Sequence, residues 1–118
     1  MKQFVVAILA AGAMSAAQST SVLPRKEAEA LAAHARTSSD HLRLAAHYRQ
    51  LAMQFAGQSK EHARMADGYR RIPIYTSSKF KSSTIGHCDY FAASFKEKAM
   101  KMSALADGHE KAARRSGQ

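Results

Sequence analysis

Histidine and cysteine recur in this chain at one spacing: three heptads separate His41 from His62, and three heptads separate Cys88 from His109. Residues that far apart return to one face of a long helix, at opposite ends of it. If two such helices fold back on each other, His62 faces Cys88 and His41 faces His109, with Phe55 and Phe95 level between them. The spacing predicts an antiparallel helical hairpin with metal-competent side chains at both ends of its seam.

The flanking pattern agrees. From Asp40 to about Arg70 the seam positions read His41, Tyr48, Phe55, His62 and Tyr69, with Leu44, Ala45, Leu51, Ala52, Met65 and Ala66 beside them. Arg43, Arg49, Lys60, Glu61, Arg64 and Asp67 fall on the other faces, as an amphipathic helix requires. Pro73 ends this helix, and 72–83 reads as a basic, Ser-rich loop. A second helix runs from about Thr84 to Ala113, its seam reading Cys88, Phe95, Met102 and His109. His47 falls off the first seam and is expected at the surface. A register offset of 47 aligns the two helices as a weak internal repeat, matching Ala52 with Ala99, Met53 with Met100, His62 with His109 and His41 with Cys88.

Upstream, Pro24 suits the first turn of a short helix through Arg25 to His34. The cluster from Thr37 to Asp40 is rich in N-capping residues, so the chain breaks or kinks there. Abundant alanine and the absence of tryptophan point the same way, to an all-α fold: a long antiparallel hairpin with a short N-terminal helix. Two helices alone bury too little core. The N-terminal helix packs on them as a third, or two chains pair into a four-helix bundle.

The first residues read as an export signal. Lys2 precedes the apolar run from Phe4 to Ala13, and Ser15-Ala16-Ala17 offers small residues for cleavage. That run is shorter than the roughly 20 residues needed to span a bilayer. The expected organisation is 1–17 signal peptide, 18–39 N-terminal segment with the short helix, and 40–118 hairpin, in a periplasmic or secreted protein. The net charge of +9 is spread along helices with acids between the bases. This arrangement fits a solvated helix surface able to touch an anionic cell envelope, and export argues against nucleic acid. A single cysteine cannot form an internal disulfide, so Cys88 is a free thiol, an intermolecular bridge or a metal ligand.

Two metal sites follow from the folded register. Near the loop, His62, Met65, His87 and Cys88 converge, a soft-to-borderline set suited to copper first and zinc second. The start of the second helix favours a thiolate and a neutral imidazole there. At the far end His41 and His109 meet, with Asp40 beside them and His34 within reach only if the chain kinks between Thr37 and Asp40, a nitrogen and oxygen set for zinc, copper(II) or nickel. The bland alternative makes each of these a satisfied core or surface side chain. No catalytic triad, carboxylate dyad, P-loop or dinucleotide glycine pattern is present, so an enzyme is not expected.

The wording His-x-x-Leu-Ala-x-x-Tyr at His41 and His-x-x-Met-Ala-x-x-Tyr at His62, then His87-Cys88 and Leu105-Ala-x-x-His109, resembles small exported Ala-rich helical-hairpin proteins of unassigned function. The resemblance spans roughly 41–113 and implies the hairpin and export, without an activity. The expected function is metal handling, copper or zinc, by a self-associating exported protein. The alternative is a non-catalytic helical interaction or stress protein without metal.

Overall fold

The computed structural model describes residues 23–73 and 78–117. Residues 1–22, which include the expected signal peptide 1–17, and loop residues 74–77 lie outside the described residues. Three helices follow in order: α1, Arg25–His34; α2, Ser38–Arg71; and α3, Ser78–Ser116. Among the described residues none of them is long and apolar enough to cross a membrane.

Pro24 stands at the start of α1, and its carbonyl accepts the Ala28 N–H at 2.9 Å. The helix is short because the next capping signal captures the chain. The Thr37 hydroxyl accepts from the Asp40 N–H at 3.1 Å, while the Asp40 carboxylate accepts from the Thr37 and Arg36 N–H groups. This reciprocal capping box starts α2 and separates it from α1. Those backbone donors hold the Asp40 carboxyl below its ordinary range. Asp40 is therefore committed to the cap rather than to the histidines beside it. Across the break α1 folds onto α2, where Leu23, Ala28 and Leu44 form a buried cluster flanked by Leu31, Ala35 and Tyr48.

α2 and α3 pack as an antiparallel hairpin. Its midpoint is set by Phe55 stacked on Phe95, with ring centroids 6.1 Å apart. The seam itself is mostly alanine: Ala45, Ala52 and Ala66 from α2 are buried against Ala106, Ala113 and Cys88 from α3. Small side chains let the backbones approach closely, and the Ser59 hydroxyl donates across the gap to the Ala92 carbonyl at 2.7 Å. Arginines of α2 hold α3 from outside, Arg49 with Asp107 and Glu110, and Arg70 with Asp89.

Two local expectations change. α3 begins at Ser78 instead of near Thr84, so 78–83, half of the stretch read as loop, is helix. Nothing from Ser78 to Ser83 forbids helix, and the connection is tied down when Lys81 Nζ donates to the Ile72 carbonyl at 2.6 Å, capping the end of α2. His47, expected at the surface, is only 8 % exposed. It shares the helix face of Leu44, on which α1 packs, and heptad position on α2 says nothing about that third helix.

Two substitutions test this arrangement. Thr37→Ala removes the cap and should cost about 1 kcal/mol in chemical unfolding. Ala106→Leu places a branched side chain at a position with no exposed surface. It should destabilise by about 1–3 kcal/mol, whereas a leucine at exposed Ala46 should leave the unfolding midpoint nearly unchanged.

Candidate metal-binding ends of the hairpin

At the end remote from the connection, His41 of α2 and His109 of α3 meet with their Nδ1 atoms 3.1 Å apart. The imidazole rings stack at 5.4 Å between centroids. At this distance one Nδ1 donates a hydrogen bond and the other accepts it, the direction being set by the tautomers. Protonating both would place two positive charges in contact. His109 accordingly sits below its ordinary value, first because burial disfavours its charged form and second because His41 is adjacent. Tyr48 completes the group: its ring lies nearly parallel to His109, 7° between planes and 5.6 Å between centroids.

The end near the connection carries a related stack. His62 lies 5.5 Å from Phe95 at 16° between planes, and 5.2 Å from Phe91. The internal repeat superposes His62 on His109 and Phe95 on Tyr48, so one ring pair occurs twice, once at each end. The His62 Nδ1 is shielded from solvent and finds no hydrogen-bond partner. Cys88, the repeat equivalent of His41, is buried with a free thiol.

The six residues singled out from sequence thus divide. His41 and His109 are in contact, whereas His62 stacks on Phe91 and Phe95 and Cys88 is buried on the seam. His87 is exposed, and Met65 is 38 % exposed. Among the described residues no three His, Cys, Asp or Glu side chains come together as a metal-holding group. The distal pair is therefore a two-ligand arrangement, and His34 stands exposed at the end of α1.

Tyr48 was the residue that level pairing misses, since it places Tyr48 opposite Met102. Side chains on a helix tilt toward its N-terminus. In an antiparallel pair this tilt carries Tyr48 and His109 toward each other, as it does Phe95 and His62. A heptad plot corrected for tilt would have found both stacks.

Comparisons of the chain with protein-family models, curated proteins and solved structures return no match.

The paired histidines make stability depend on pH. The unfolded chain takes up protons near the free-histidine value of 6.5, while folded His109 resists until lower pH. Its contribution is complete above 6.5 and is lost as pH falls through the lower folded value. Urea unfolding at about pH 7.5 and about pH 5.5 should show a fall in midpoint for the wild type. His109→Phe keeps a ring for Tyr48 to stack on and should show a smaller fall; an equal fall would assign the effect to other groups.

Proposed function

We propose that this is an exported, non-catalytic metal-binding protein whose primary site is the His41–His109 pair. One observation carries the reading: two imidazole nitrogens from different helices at 3.1 Å. With metal–nitrogen bonds of about 2.0–2.1 Å, nitrogens at that separation subtend roughly 100° at an ion, between square-planar and tetrahedral angles. The depressed proton affinity of His109 helps, because only neutral imidazole binds metal. Zinc or copper(II) suits two nitrogens. The remaining positions are left to water or to a ligand from another molecule, which fits handling and transfer better than permanent storage.

His62 and Cys88 supply the second, softer pair of this proposal, for copper(I) or zinc, with His87 and Met65 as outer ligands. A buried thiol and a shielded, unpartnered Nδ1 support it. The signal-like segment at 1–17 supports export, and the net charge of +9 supports contact with an anionic envelope surface.

Metal titration with elemental analysis tests the assignment. His41→Ala and His109→Ala should each lose zinc and copper(II) affinity by tenfold or more, and Cys88→Ser should leave that site intact while losing a copper(I) equivalent. Binding should weaken as pH drops below about 6.5, as protons compete for imidazole. Equal zinc and copper(II) affinity in wild type and the His41→Ala/His109→Ala double variant would reject the paired-histidine site.

The alternative is a helical interaction protein that needs no metal. It is favoured by an open groove of about 890 Å³ along the hairpin, floored by alanine.

A further inference from the structure

The hairpin has two sides. On one, α1 covers Leu44, and Lys98 lies over the rings of Phe55 and Phe95. The other side is the groove, and among the described residues no element covers it. Met53 and Met100 stand on its walls at 67 % and 66 % exposure, among the highest of the large apolar side chains. Leu42, 53 % exposed, continues the apolar strip toward the distal end.

The lining repeats itself. The register offset that aligns α2 with α3 pairs Arg49 with Lys96, Ala52 with Ala99, Met53 with Met100, Ala56 with Ser103 and Lys60 with Asp107. Both helices therefore offer the groove the same succession: a long side chain, a small floor, a methionine, another small floor. A surface with methionine ridges and small-residue floors on both helices can pack against a second copy of itself, each methionine set over alanine and serine of the other chain.

We propose that the groove is covered by a second copy of this chain, groove to groove, giving a four-helix bundle in which every neighbouring helix runs antiparallel.

Two further features support this occupant. The first is size. α2 is 34 residues long, so the whole hairpin face is about 50 Å by about 20 Å. The groove lining from Arg49 to Ala63 is its central part, about 20 Å long. Pairing along the full face covers roughly 1,000 Å² per copy, against the roughly 800 Å² per partner of a standard interface. The second is the thin core of the single chain: Leu44 is its one large side chain with no exposed surface among the described residues. Seam alanines bury little apolar area each, so a lone hairpin leaves most of its apolar content in water. The rim is also compatible. Arg49 already reaches Asp107 and Glu110 on α3 of its own chain, and the same reach extends to an Asp107 across the groove. Lys60 and Lys96 have stems long enough to keep their charges in solvent at the edge.

This inference is independent of the metal reading, because neither histidine pair lines the groove. The test is sedimentation equilibrium of the purified protein across a concentration series, with and without a chelator. A dimer is expected in both conditions. Met53→Glu/Met100→Glu should weaken association at least a hundredfold, while Met53→Leu/Met100→Leu should retain it. Leu105→Gln, at an exposed position outside the groove lining, should leave association within about threefold of wild type. Circular dichroism separates dissociation from unfolding. Should the acidic variant fail to fold, Met53→Gln alone should still show measurably weaker association with helix content preserved. A wild type that remains monomeric while helical overturns the proposal. So does a dimer indifferent to Met53 and Met100 but broken by Leu105→Gln, and so does a dimer that dissociates fully in chelator.

Discussion

Alanine at Ala45, Ala52, Ala66, Ala106 and Ala113 removes side-chain bulk from the line where α2 and α3 meet. The rest of the molecule follows from that choice. Helices brought close along small residues can span the gap with a serine hydroxyl, as Ser59 does to Ala92. They also push the aromatic rings to one side of the seam, where Phe55, Phe95, Phe91 and His62 stack in succession. The cost is a core of little apolar volume. Stability is consequently drawn from length, from stacked rings and from what lies outside the seam.

Much of this was legible in the residues, because a heptad repeat encodes level pairing directly. Phe55 with Phe95 and His41 with His109 meet as the spacing of their positions demands. The capping residues from Thr37 to Asp40 likewise announced the break between α1 and α2. What escaped has a common origin in three dimensions. Stacking of Tyr48 on His109 depends on the tilt of side chains along each helix, which a one-dimensional repeat omits. Burial of His47 depends on where α1 lands. The early start of α3 at Ser78 reflects a stretch of serine and lysine whose weak local preference yields to the tertiary anchor at Lys81.

The histidines illustrate how one residue type serves different ends within about 30 Å of helix. His41 and His109 hydrogen-bond to each other, His62 presents its ring faces to phenylalanine, and His47 lies edge-on to Tyr48. The Nδ1 atoms of His47 and His62 are shielded without partners, whereas the distal pair satisfies its own. Residue type alone would rank these four together. Their neighbours separate them.

The distal pair also sits at the open mouth of the hairpin, the point most distant from the connection between helices. A bond from His41 to His109 spans a sequence separation of 68 residues. Closing a loop of that length is where a cross-link removes most freedom from the unfolded chain. Helical ends fray first, so an ion held there would act as a clasp on a zipper. It would be the last fastening made on folding and the first undone when protons rise. Its hold would be felt along the whole length of both helices, as slower amide exchange near the connection as well as at the mouth.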